Sequence, residues 1–128
     1  MRKKTPVRDC MSHLPSEAAR QDPLSSVVQQ MREHRCHHVP VMDGIHLVGI
    51  LSREDLHEAV LRHGEKANEL TAGDVCTKDV LTVGPMTPIV EVAERMTERG
   101  VGSALVTDGD VLVGIFTATD ALKLVAQL

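Results

Sequence analysis

Two stretches of this sequence carry residues spaced for chemistry: "VGILSRED" over residues 48–55 and "VGIFTATD" over residues 113–120. Each sets a glycine, two apolar residues, a hydroxyl at Ser52 or Thr117, and a carboxylate three positions further on, at Asp55 or Asp120. A hydroxyl followed by Asp at this spacing reads in two ways. In a capping box, the hydroxyl accepts from the N–H at the third helical position and the carboxylate accepts from the cap's own N–H. Alternatively, the hydroxyl and the N–H groups at a helix start hold a phosphate, while the carboxylate one turn along accepts both hydroxyls of a vicinal diol such as a ribose. The glycine permits close approach of backbone in either case. The same side chains serve both readings, and the residues by themselves leave both open.

The two stretches belong to a longer repeat. Gly114 lies 65 positions after Gly49, and the same offset relates Asp9 to Asp74, Pro23 to Pro88, Met31 to Met96, Gly44 to Gly109 and Asp55 to Asp120. No gap interrupts this register, so the chain is a tandem duplication. In each copy a capping residue and a proline, Asp22-Pro23 and Thr87-Pro88, predict a helix start with the proline at the first helical position. Apolar residues at 24, 27, 28 and 31, and at 89, 92, 93 and 96, then give one buried helical face. "HHVPVM" and "GSALVT" predict strands that turn at Asp43-Gly44 and Asp108-Gly109 into the returning strands "HLVGIL" and "VLVGIF". A second helix starts at Ser52 or Thr117. The first strand is clear in "TKDVLTVGP" but not in "SHLPSEAARQ", where Pro15 interrupts a polar run. A half of about 60 residues buries too little surface to stand alone, so the two halves are expected to share a core.

Composition narrows the function. The 128 residues carry a net charge of −4, with basic residues scattered apart from Arg2, Lys3 and Lys4, which argues against a nucleic-acid face. Phe116 is the only aromatic residue, so no base-stacking platform is available. No apolar run approaches the roughly 20 residues of a membrane span, and no apolar core follows the basic N-terminus; a cytoplasmic protein is expected. Cys10, Cys36 and Cys76 form neither a disulfide framework nor a zinc ribbon. His34, Cys36, His37, His38 and His46 crowd together, but His37 alternates away from its neighbours along a strand, so no metal site is assigned. No nucleophile and base pair recurs, and no catalytic residue is assigned.

The whole pattern resembles a pair of CBS domains, the tandem arrangement called a Bateman module. The resemblance rests on "VRDCMS", "MREHRCHHVPVMDGIHLVGILSREDL" and "AGDVCTKDVLTVGPMTPIVEVAERMTERGVGSALVTDGDVLVGIFTATDAL", and runs from about Val7 to Leu122. It implies an α+β fold of two β-α-β-β-α repeats related by a pseudo-twofold in one compact module: repeat 1 over 1–63, a linker over 64–71 and repeat 2 over 72–128. It further implies clefts for AMP, ADP, ATP or a related adenosyl ligand, with Ser52 and Thr117 at phosphate and Asp55 and Asp120 at ribose. Arg53, next to Ser52, is expected to add charge toward a polyphosphate. The base is expected near Val80 with Ser103 and Ala104, and near Leu14 with His38 and Val39. Asp120 is expected to matter more than Asp55 because its repeat has the better first strand. Such a module would form a homodimer and, with no effector of its own here, regulate an unidentified partner protein in trans. The alternative is a structural dimerisation module that binds no ligand.

Overall fold

The computed structural model of the chain describes residues 4–128; Arg2 and Lys3 of the basic cluster lie outside the described residues. The elements run β1 (Ala18–Ala19), α1 (Leu24–His34), β2 (His38–Asp43), β3 (His46–Ser52), α2 (Arg53–His63), α3 (Ala72–Val75), β4 (Thr82–Val83), α4 (Ile89–Arg99), β5 (Ser103–Asp108), β6 (Val111–Thr117) and α5 (Ala118–Ala126). The repeating order β-α-β-β-α is therefore an α+β fold written twice. Two three-stranded sheets form, β1-β2-β3 and β4-β5-β6, each with a parallel pair followed by an antiparallel hairpin.

The compact units are cut differently from the repeats. One unit is Leu14–Asp79; the other joins residues 4–13 to Val80–Leu128. Each unit thus takes a short leading segment that stands just before the other repeat in sequence. In the first, Ala72 N–H donates to Asp22 O at 2.8 Å; in the second, Val7 N–H donates to Thr87 O at 2.8 Å. The predicted link over 64–71 is mostly a 3-10 helix, Gly64–Glu69, with Ala67 buried in the Leu14–Asp79 unit.

Of the predicted helical stripes, Leu24, Val27 and Met31 on α1 and Ile89, Val92 and Met96 on α4 are buried, whereas Val28 is half-buried and Ala93, at the edge of its stripe, is exposed. Each set joins its own core cluster, with Val39, Val41 and Leu51 in one unit and Ala104, Val106 and Phe116 in the other. Pro23 and Pro88 occupy the cap position rather than the first helical position, and no side chain caps either helix. Asp22 instead closes the preceding turn by accepting from Ala19 N–H at 2.9 Å. In both hairpins the Asp ends the strand and pairs with the first residue of the return, Asp43 with His46 and Asp108 with Val111. The two-residue loops are therefore Gly44-Ile45 and Gly109-Asp110, with φ +63° and +61° at the glycines, as a turn needing positive φ at its first central residue demands.

Both leading strands are only two residues long, so "TKDVLTVGP" is less of a strand than its apolar character predicts. The first one also starts later. Leu105 N–H donates to Leu81 O at 2.8 Å, whereas its counterpart 65 residues earlier is Pro40, which has no N–H to give. Proline in the middle strand, as well as Pro15 in the first, trims that edge.

Gly49 and Gly114 are explained by contacts inside their units. A Cβ at Gly49 would overlap the Thr77 carbonyl oxygen, and one at Gly114 would stand 2.6 Å from Met11 Sδ and 2.9 Å from Ser12 O. The close approach permits paired backbone bonds: Thr77 N–H to Ile50 O at 2.9 Å with Ile50 N–H to Thr77 O at 3.0 Å, and Ser12 N–H to Ile115 O at 2.8 Å with Ile115 N–H to Ser12 O at 2.9 Å. At Gly49 the obstacle is backbone; at Gly114 the nearest atom ends a flexible side chain. Gly49→Ala is therefore expected to cost about 2–4 kcal/mol, from overpacking and weakened bridge bonds. Gly114→Ala should cost about 1–2 kcal/mol, and Gly102→Ala, where an added Cβ meets nothing within 4 Å, less than about 0.5 kcal/mol. Urea unfolding of the three variants tests this order, and equal losses would refute it.

Candidate functional site

Both Gly-containing motifs end in a complete capping box. Ser52 Oγ accepts from Asp55 N–H at 3.1 Å and Asp55 Oδ2 accepts from Ser52 N–H at 2.9 Å, opening α2. Thr117 Oγ1 accepts from Asp120 N–H at 3.2 Å and Asp120 Oδ2 accepts from Thr117 N–H at 3.0 Å, opening α5. The next amides are engaged as well: Arg53 N–H donates to His37 O and Ala118 N–H to Gly102 O, each at 3.0 Å. The helix starts therefore present fewer N–H groups to a phosphate than their sequence suggests, because the backbone has already used them.

Each carboxylate also has a second hydroxyl, which the sequence reading missed. Ser12 Oγ donates to Asp120 Oδ1 at 2.7 Å. Thr77 Oγ1 reaches Asp55 Oδ1 at 3.2 Å and Oδ2 at 3.4 Å. Ser12 and Thr77 are themselves 65 positions apart, so the repeat offset contained the signal. A third capping box, Thr71 with Asp74 at the start of α3, provides a contrast. Its exposed carboxyl is held below its usual range by the Thr71 backbone and side-chain hydrogen bonds, and among the described residues no additional hydroxyl bonds to it. A capping box needs no third partner, so the extra hydroxyl distinguishes the twin motifs from ordinary helix starts.

The two copies differ in access. Asp120 is 5% exposed and is a buried charge with its donors in place, whereas Asp55 is half-buried. A small cavity of about 190 Å³ lies beside Asp55, with Glu58, Arg62, His63 and Asp74 on its walls. Arg53 faces elsewhere: its Nη1 meets His37 Nε2 at 3.1 Å, and it lines a separate cavity of about 430 Å³. Arg53, expected next to Ser52 to add charge toward a polyphosphate, thus opens on a different cavity from Asp55, because successive residues of a helix start point in different directions.

The sheet register brings other expected residues beside the motifs. Ser103 pairs with Thr117, and His38 pairs with Ser52. Val80, Ser103 and His38 are partly exposed. Ala104 and Val39 are fully buried in the cores of their units. Both residues had been expected to line a base-binding wall; here their neighbours are apolar core side chains, and they present no surface to a ligand.

The thiols are placed for packing. Burial raises the Cys10 thiol above its ordinary pKa, reinforced by the Asp9 and Asp120 carboxylates. Burial raises Cys36 against backbone hydrogen bonds from His38 and its own amide. Burial likewise raises Cys76, with Lys78 opposing and Asp55 adding to the rise. Protonated thiols are poor nucleophiles. Among the described residues no three His, Cys, Asp or Glu side chains converge on a common point as metal ligands, and no helix is long and apolar enough to cross a membrane.

Comparison with known proteins places this architecture. The chain is 30% identical over 115 residues to an inosine-5'-monophosphate dehydrogenase of Korarchaeum cryptofilum, covering 89% of this chain and 22% of that enzyme. It spans less than two thirds of the length of the first curated relatives it matches. Among solved structures, the CBS domain of a membrane protein from Sphaerobacter thermophilus is 28% identical with a TM-score of 0.81, covering 95% of this chain and 88% of that one. The CBS domain pair of protein MJ0100, solved in complex with 5'-methylthioadenosine and S-adenosyl-L-methionine, is 27% identical with a TM-score of 0.82, covering 94% and 99%. The family model for the CBS domain matches twice, over residues 7–62 and 72–127; with the repeated β-α-β-β-α order and the twin helix-start motifs, this chain belongs to the CBS-domain family as a tandem pair.

Proposed function

We propose that this CBS pair is a regulatory module, without catalysis of its own, that binds an adenosine-containing ligand through its helix-start carboxylates. The observation that carries the reading is the second hydroxyl on Asp55 and Asp120. A carboxylate already accepting from a Ser or Thr hydroxyl can accept from a ribose hydroxyl in its place, an exchange that is nearly neutral in hydrogen-bond count. The bound adenosyl ligands of the MJ0100 pair support the ligand class. AMP, ADP and ATP are candidates alongside them. Ser52 and Thr117 would lie toward the phosphate or 5'-substituent, with His38, Ser103 and Val80 toward the base.

The same exchange supplies a mechanism. Thr77 and Ser12 sit on the leading segments that bridge β3 and β6. A ligand diol that displaces their hydroxyls favours states in which those segments are released, shifting a population by its differential affinity. A partner protein reading that segment receives the signal in trans. Asp55, the more exposed carboxylate, is the readier site; at Asp120 the ligand must first displace the 2.7 Å Ser12 bond. This reverses the ranking drawn from the quality of the first strands.

Thermal unfolding against AMP, ADP, ATP, 5'-methylthioadenosine and S-adenosylmethionine tests the reading. A ligand at 100 times its dissociation constant adds about 2.7 kcal/mol, a shift of several degrees. Asp55→Ala should weaken calorimetric binding at least about tenfold while costing about 1 kcal/mol in stability. Asp120→Ala should cost about 2–3 kcal/mol in stability because it strands buried donors. Stabilisation by none of these ligands at millimolar concentration would reject sensing and leave a structural dimerisation module.

Assembly as a homodimer belongs to the same proposal. Val60 and Leu61 on α2 are 56% and 76% exposed, and Leu122 and Val125 on α5 are 68% and 59% exposed, an unusual outward apolar load for two helices. Sedimentation of the full chain should give a dimer, and Leu61→Glu with Leu122→Glu a monomer. A wild type that stays monomeric at high micromolar concentration would exclude this pairing.

A further inference from the structure

The cavity of about 430 Å³ in the Leu14–Asp79 unit is lined by three arginines, Arg32, Arg35 and Arg53, with His37 beside them. Its floor is apolar, formed by Val28, Met31 and Leu56 where α1 faces the start of α2. The volume falls in the range of small-molecule sites, whereas the cavity beside Asp55 does not. No carboxylate lines it, in a chain whose net charge is −4.

The arginines are held apart from acids. Arg8, Arg20, Arg62 and Arg95 each reach an Asp or Glu. Among the described residues, neither Arg32 nor Arg35 makes an ion pair, and the guanidinium of Arg53 is turned toward His37. Three guanidinium groups lining one groove with no acidic partner repel one another, and an anion from outside relieves that repulsion.

Backbone geometry points the same way. Arg35 ends α1 in the left-handed region at φ 51°, ψ 44°, the sole non-glycine with positive φ among the described residues. The equivalent position of the other repeat is Gly100, at φ 65°, ψ 34°. Left-handed backbone disfavours a residue with a Cβ, and Gly is the unstrained choice. The duplicated frame carries the contrast at every cation: Arg32, Arg35, His37 and Arg53 face Thr97, Gly100, Gly102 and Ala118 at the 65-residue offset. A strained arginine among arginines without an acidic partner, in one repeat only, is a feature that folding alone does not require.

We propose that this groove binds a multiply charged phosphoanion, two or more linked phosphates, either free or carried on a larger molecule. The guanidinium groups take the phosphate oxygens in paired hydrogen bonds, above the apolar floor of Val28, Met31 and Leu56. The site does not depend on the ribose-binding carboxylates.

Calorimetry of the full chain with inorganic tripolyphosphate at low salt tests the groove. Saturable binding is expected in the wild type, weakened about fivefold in each of Arg35→Gly and Arg32→Thr, a loss of about 1 kcal/mol apiece. Both variants install the residue of the other repeat, and Arg35→Gly should also raise the unfolding temperature in the absence of anion, which shows that it folds. Arg95→Ala, outside the groove, and Asp55→Ala should bind tripolyphosphate as the wild type does. Comparison with ATP separates the sources: ATP weakened only by the arginine variants is held by its phosphates, and ATP weakened also by Asp55→Ala uses the ribose site as well. Absence of saturable tripolyphosphate binding, or wild-type affinity in Arg35→Gly and Arg32→Thr, would overturn the proposal even if adenosyl ligands bind.

Discussion

A short backbone bridge laid across a glycine organises each unit. Thr77 with Ile50, and Ser12 with Ile115, exchange two N–H···O bonds apiece, at a separation that the first β-carbon of any other residue would obstruct at Gly49 and crowd at Gly114. That one contact sets the leading segment against the returning strand, and the residue making it carries the hydroxyl that reaches Asp55 or Asp120. The carboxylate in turn holds the cap of the following helix. Glycine, bridge, hydroxyl, carboxylate and helix start form a single chain of dependence in each repeat. The carboxylate is at once a fold element and the group best suited to a diol, so ligand exchange at that point acts directly on the segment it secures.

Duplication kept this frame and varied what lies around it. The bridges, capping boxes, hairpin glycines and bulges recur at one offset, including the register shifts after Val41 and Val106. The burial of the carboxylate does not recur, since Asp120 is sealed and Asp55 is open to a small cavity. Nor do the arginines, which crowd one groove of the first repeat and are replaced by small or neutral residues in the second. Shared backbone requirements constrain glycines and caps, while side chains facing open space are free to diverge and to acquire a ligand of their own. Among the described residues no buried side-chain polar atom lacks a hydrogen-bond partner, so the divergence has not been at the expense of satisfied interiors.

Local physics made much of this protein legible in its sequence. Helical periodicity marked α1 and α4, Asp-Gly pairs marked the hairpins, the Ser/Thr-x-x-Asp spacing marked the starts of α2 and α5, and the offset of 65 marked the duplication, because each signal lies within a few residues or repeats exactly once. What tertiary structure decided were matters of direction and of distant partners. Which backbone pressed on Gly49 and Gly114, and which hydroxyl met each carboxylate, depended on segments more than twenty residues away. The later start of β1 depended on a missing N–H in its neighbour at Pro40. Val39 and Ala104 became core, and Arg53 came to line a cavity with Arg32, Arg35 and His37 rather than the one beside Asp55, because burial and side-chain direction are set by packing between elements, which no local spacing encodes.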